Sequence, residues 1–331
     1  MLKEFIRVLF LGMLFVLFLN KACRAQELNI VTSAYPQYDF VRAIVKDRAK
    51  VSMLLKIGTE AHSFEPSPKD LIAIENASLF VCNGGENEEW LADFVDSLSV
   101  KPQTMTFTDL VQIRPEEPPA GVRELHEHHH DLMSTHEYEK EHMHKHDHEH
   151  EHDYAFDEHV WTSPRNDIVI LEKLCEKIVS LDRDNQEFYE RNAREYIERF
   201  HKIDDEYQRI VSLAPLKTII FGDRFPLLYF AKDYGLEYYA AFSGCSNETE
   251  VSAHTMSYLI EKAKEKKVPV IFKIELSSPS LAKTIAEEVG AEVMTFNSGH
   301  NLSVEQFEKG ITMADLFEMN YRSLKMALGL F

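Results

Sequence analysis

The chain has 331 residues, is 44% hydrophobic and carries a formal net charge of −19. Such acidity excludes nucleic acid as a partner and favours solubility and the attraction of cations, while about 300 residues beyond the N-terminus suit two ordinary cores rather than one. Past the N-terminus no apolar run approaches the roughly 18 residues of a spanning helix, and no G-x-x-x-x-G-K-[ST] loop is present, so neither a channel nor an ATP motor is encoded here.

Lys3 and Arg7 precede an apolar run from Val8 to Leu19, and small residues follow at Ala22, Cys23 and Ala25. The pattern predicts a secretory signal peptide over residues 1–25, with a mature chain from Gln26. A lipid on Cys23 or an uncleaved anchor are the other readings; all three place the body outside the cytoplasm. Cys82, Cys175 and Cys245 lack C-x-x-C spacing, and an odd number in an exported chain predicts at most one disulfide and otherwise buried thiols.

Short β-branched runs at Leu28 to Thr32, Val51 to Ile57, Leu79 to Asn83 and Thr104 to Phe107 alternate with amphipathic segments. A second set follows at Thr218 to Phe221, Tyr238 to Phe242, Val270 to Ile274 and Val293 to Phe296. Strand, helix, strand repetition predicts an α/β fold of two lobes, each with a mostly parallel sheet of four strands flanked by helices. Between the sets, Asp167 to Ser212 is charged, free of glycine and spaced as helix, with a joint at Asp182 to Asn185. The expected division is a first lobe over residues 26–165, connecting helices over 166–212 and a second lobe over 213–331, a clamshell on a rigid helix.

His62 lies between a strand end and a helix start. Ser67, Pro68 and Asp70 form a capping signature, which fixes the loop at its far end. His159 repeats this grammar ahead of Ser163-Pro164. Loops beyond the carboxyl ends of parallel strands are where ligands bind in open α/β sheets. His300 follows the last strand, the equivalent place in the second lobe. Asp223 and Glu275 follow two other second-lobe strands and are the acidic candidates. His201 and His254 fall within helical segments and are read as structural.

Between the two sets, residues 122–153 form a metal-binding brush, with 11 His and 8 Asp or Glu from His126 to His152. Imidazole is the commonest zinc ligand, and interleaved carboxylates add oxygen donors and a field that concentrates cations. His126, His128, His129, His130, His142, His144, His146, His148, His150 and His152 are accessory ligand candidates. So polar a run cannot build a packed core and is expected to be disordered without metal. His126 to His130 and His148 to His152 formally match H-E-x-x-H, a match expected by chance in a tract of this composition.

The segments Gly58 to Asp70 and Asp157 to Pro164, with Tyr234-Gly235-Leu236, resemble the zinc- and manganese-binding solute receptors of bacterial ABC importers. The likeness extends from about Leu28 to Leu328, and an acidic His-rich loop ahead of the second ligand resembles the zinc members. The resemblance implies two α/β lobes on a rigid helix, with the metal between them on three His and a carboxylate or a close variant of that set. Its first two His carry over to His62 and His159. Where the family has a third, this chain reads Phe221-Gly222-Asp223-Arg224-Phe225-Pro226, and where a late Asp is usual it has Asn297, with His300 three residues on. The implied function is zinc capture and delivery to a permease and its ATPase, by a monomer that is no enzyme. The rival readings are a manganese receptor, a zinc buffer or adhesin, and a secreted zinc hydrolase using Glu60 or Glu158 as base.

Overall fold

The computed structural model describes residues 28–59, 64–85, 88, 90–98, 101–117, 119, 156–244, 246 and 251–331. The signal segment, Cys23, Glu60, His62, the brush over 122–153 with its ten candidate ligands, and Cys245 lie outside the described residues.

Strands β1 (Asn29–Thr32), β2 (Lys50–Met53), β3 (Leu79–Cys82) and β4 (Thr104–Thr106) form a parallel sheet in the order β2-β1-β3-β4. Helices α1 (Tyr35–Val45), α2 (Pro68–Glu75) and α3 (Trp90–Ser97) lie between its strands in the chain. The strand expected over Val51 to Ile57 ends at Met53, because the chain turns at Lys56, where the Thr59 amide donates to the Lys56 carbonyl at 3.2 Å. A two-residue antiparallel pair, β5 (Arg114–Pro115) with β6 (Phe156–Asp157), forms a separate small sheet.

The second sheet has the order β10-β9-β7-β8, again wholly parallel, from β7 (Thr218–Phe225), β8 (Glu237–Ser243), β9 (Val270–Ile274) and β10 (Glu292–Phe296). The expected end of β7 at Phe221 is four residues short. Gly222-Asp223-Arg224 reads as a strand end, but the strand bulges there and resumes pairing at Arg224 and Phe225 with Phe242 and Ser243. The bulge is tolerated because the buried Asp223 carboxylate takes hydrogen bonds from the Arg224 amide at 2.9 Å, the Ile274 amide at 3.0 Å and the Ser277 hydroxyl.

The lobes meet along α4 (Pro164–Leu181) and α5 (Gln186–Leu213), with the expected joint as a turn of 3₁₀ helix at Arg183–Asn185. Ser163 caps α4 by accepting from the Asn166 amide, and Pro164 takes the first turn, where its missing N–H costs nothing. The 28 residues of α5 span about 42 Å. Near its start Asn192 donates to the Ile44 carbonyl on α1 at 2.9 Å; further along, Tyr207 donates to the Phe317 carbonyl on α10 (Met313–Ala327) at 2.6 Å. One apolar core runs the whole way, from Phe40, Ile44 and Phe107 through Phe200 and Tyr207 to Phe230, Phe296 and Phe317. Cys82 and Cys175 are buried free thiols, and no described helix is long and apolar enough to cross a membrane.

Asp39 on α1 joins all three parts. Its Oδ2 accepts from the Tyr196 hydroxyl of α5 at 2.5 Å and from the Met313 amide opening α10 at 3.1 Å. Burial pushes its carboxyl up to about 6, against the opposing pull of these two bonds. A carboxyl with a raised folded pKa contributes stability below its unfolded value of about 3.9, and that contribution is lost as pH rises through about 6. Asp39→Asn keeps an acceptor for both bonds and removes the titration. In chemical denaturation at a series of pH values, the variant should gain on the native protein by up to about 3 kcal/mol between pH 4 and 7.

Candidate metal centre

Two imidazoles from the opposite lobes meet at the interface. The rings of His159 and His300 lie 4.9 Å apart at 73°, and Trp161 stands edge-on to both, at 5.4 and 5.0 Å. Trp161 is fixed by donating its indole N–H to the Ser298 carbonyl at 3.0 Å, a bond that crosses between the lobes.

His159 sits on a short bridge held at both ends. Asn83, after β3, donates to the Glu158 carbonyl at 2.9 Å, and Tyr229 on α6 (Leu228–Tyr234) donates to the Asp157 carbonyl at 2.7 Å. Asp157 Oδ1 accepts from the His159 amide at 2.9 Å and lies 3.0 Å from Nδ1 of its ring. An ionised carboxylate can only accept, so Nδ1 carries the proton and Nε2 presents a lone pair. The ring is fully buried, and Gly244 packs on it so closely that a Cβ there would stand 3.0 Å from His159 Cε1.

His300 is set by a different relay with the same result. Glu275 accepts from the Ser298 amide at 2.6 Å, the Ser298 hydroxyl at 2.7 Å and the His300 amide at 3.2 Å. The Ser298 hydroxyl has one proton and gives it to Glu275, so its 2.6 Å bond to His300 Nδ1 is one it accepts. Nδ1 is again the protonated nitrogen and Nε2 the donor. Burial holds the Glu275 carboxyl above its ordinary value, against the pull of the Ser298 bonds.

Of the residues expected to bind metal, the structure brings together His159, His300 and Glu275, the last as a buttress behind the His300 loop. Asp223 is engaged between β7 and β9 and borders a separate cavity of about 250 Å³ lined by Arg224, Ser277 and Ser280. His62 is outside the described residues; the chain is described up to Thr59 and again from Phe64. Among the described residues no three His, Cys, Asp or Glu side chains converge on one ion position, so the described part of the centre is the imidazole pair. Beside it lies a cavity of about 50 Å³ bordered by His300, Trp161, Glu158, Gln37 and Glu88. Burial pushes the Glu88 carboxyl up to about 7, although the Asn83 and Gly84 amides donate to it at 2.9 and 2.7 Å.

Asp157, Ser298 and Trp161 were not among the expected site residues. A signal for the first two existed: each precedes its histidine by two positions, the spacing at which a short polar side chain folds back onto a neighbour. Trp161 had none, since its contact with His300 joins positions 139 residues apart, a figure given by 300 − 161.

The sequence profile of the family described as "ZnuA: Zinc-uptake complex component A periplasmic" matches residues 30–327. The chain is 34% identical over 314 residues to the high-affinity zinc uptake system protein ZnuA of Bacillus subtilis, covering 92% of this chain and 89% of that protein. It is 32% identical over 324 residues to the zinc-binding lipoprotein AdcA of Streptococcus pneumoniae, covering 96% of this chain and 60% of AdcA. Among solved structures, the metal-dependent lipoprotein YcdH of Bacillus subtilis superposes with a TM-score of 0.73 at 30% identity, over 92% of this chain and all of that one. The Zn(II)-bound ZnuA-like domain of Streptococcus pneumoniae AdcA gives 0.71 at 29%, over 92% of this chain and 99% of that one.

Burial alone lowers the pKa of His159, but the charge and hydrogen bond of Asp157, with Glu158 and Glu116 nearby, raise it above its ordinary value. The second ring proton, on Nε2, stabilises the fold at low pH and is lost as pH rises through the raised value, so any cation that takes the Nε2 lone pair is bound more strongly as pH rises through that window. Asp157→Asn removes the charge that raises the pKa and the carboxylate that orients the ring. Competition titrations against a chromophoric chelator should show zinc affinity reduced by about 10- to 100-fold at neutral pH, with the pH midpoint of binding moved downward.

Proposed function

The chain belongs to the ZnuA family of periplasmic zinc-uptake components, and from that premise we propose that its ion is held between the lobes on His62, His159 and His300. The protein is the zinc-binding solute receptor of an ABC importer, an extracytoplasmic binding component and not an enzyme. The observation that carries the reading of the centre is the imidazole pair: two rings from opposite lobes, 4.9 Å apart, each held through Nδ1.

Two nitrogen donors on buttressed rings suit zinc better than manganese, which prefers carboxylate, carbonyl and water oxygens. Glu275 and Asp157 act behind the ligands as orienting carboxylates, and Asp223 secures the β7 bulge. His62, three positions after Thr59 in the chain, completes the set. The lobes divide at about residues 165 and 213, the leader occupies residues 1–25, and the receptor meets its permease as a monomer. The brush over 122–153, with its 11 imidazoles, collects zinc at weak sites and passes it to the centre.

Zinc should raise the thermal midpoint of the purified metal-free protein, with a stabilisation of about 2.7 kcal/mol at a free concentration 100 times Kd. His159→Ala and His300→Ala should each abolish most of that rise. If both variants respond to zinc as the native protein does, the ion binds elsewhere. Removing residues 122–153 should delete the weak sites from a calorimetric titration and leave one tight site; loss of the tight site would overturn the division of labour.

A further inference from the structure

Asn301 follows His300 directly, is 1% exposed, and reaches across to the other lobe. Its amide nitrogen donates one hydrogen to the Lys56 carbonyl and the other to the Thr59 carbonyl, both at 2.8 Å. Its Oδ1 accepts from the Leu302 amide at 2.8 Å, which sets the orientation of the amide. A third bond between the lobes runs alongside, from the Gly58 amide to the Leu302 carbonyl at 2.9 Å. The Lys56–Thr59 turn is therefore tied to the backbone next to His300 by three hydrogen bonds, two of them from one side chain.

Few side chains can make this contact. It needs two N–H donors on one atom, aimed at two carbonyls, and an acceptor on the adjacent atom. Aspartate has no donor, and serine can satisfy only one of the two carbonyls. The turn it grips belongs to the first lobe, which also carries His159, so the clamp sets where the His300 loop stands relative to that lobe.

We propose that Asn301 is a positioning residue for zinc capture, clamping the Lys56–Thr59 turn of the first lobe to the His300 loop of the second so that the two halves of the centre are in register before the ion arrives. This rests on the reading that His300 is a ligand of the interlobe ion. Preformed register spares the ion the ordering of the interface, which strengthens binding without a further ligand. Delivery to a permease then requires these three bonds to part along with the coordination bonds, which makes the clamp a determinant of the release rate.

The test uses the full-length receptor, with zinc affinity measured by competition against a chromophoric chelator, dissociation rate by stopped flow, and folding by circular dichroism. Asn301→Asp and Asn301→Ser should each bind zinc about tenfold or more weakly with faster dissociation, the aspartate being the worse because its charge faces two carbonyls. In a His300→Ala background the same substitutions should cost less than about threefold, since register no longer serves that ligand. Native affinity in both variants, or an equal loss in both backgrounds, overturns the clamp. Native affinity in His300→Ala alone instead removes the metal-centre reading, and the clamp with it. Asn301→Ser keeps the test open should the aspartate variant fail to fold.

Discussion

A neutral imidazole offers an ion one nitrogen, and which one is settled by what the other nitrogen holds. The centre depends on that constraint. Asp157 accepts the Nδ1–H of His159 directly, while Ser298 accepts that of His300 and donates its own hydroxyl proton to Glu275. Both relays leave Nε2 as the donor, although one is built within the 156–159 bridge and the other joins the ends of β9 and β10. Each relay also receives the backbone amide of its own histidine, so the ring and the main chain that carries it are fixed by one carboxylate.

Fixed rings are useful only if the lobes that carry them keep their distance. The joined core along α5, the three-way contact at Asp39 and the crossing bond from Trp161 to Ser298 oppose large independent movement of the halves. A receptor on such a frame meets the ion with most of its ordering already done.

The two sheets, the helical joint and the Ser-Pro starts were legible because each is a local pattern. Ser67 with Asp70 and Ser163 with Pro164 announce helix ends within four residues, and the helical spacing of α4 and α5 needs no knowledge of what covers it. That His159 and His300 would face one another was expected from a helix start after the first and a strand end before the second, and the structure places their rings 4.9 Å apart. Local reading failed where a polar residue is satisfied from far away. Asp223 looks like a free acid after a finished strand, yet its partners include Ile274 and Ser277, more than fifty positions on, and they let β7 continue. Glu275 was expected as a ligand candidate, but only the folded chain shows that its donors are Ser298 and His300, again distant in sequence.

The same relays separate capture from catalysis. A zinc hydrolase needs a carboxylate free to take a proton from water beside the metal and to meet a substrate there. Asp157 holds a ring proton and Glu275 holds the His300 loop, so neither can change partner without releasing a ligand. Glu158, placed next to His159, is 4% exposed, and its carboxylate lies so near Gly85 that a Cβ on that glycine would stand 2.1 Å from Oε2. It borders the small cavity beside the imidazole pair rather than open solvent. Asp157 and Glu275 therefore serve to orient the two imidazoles, an arrangement that suits a binding component whose cargo is taken up and released unchanged.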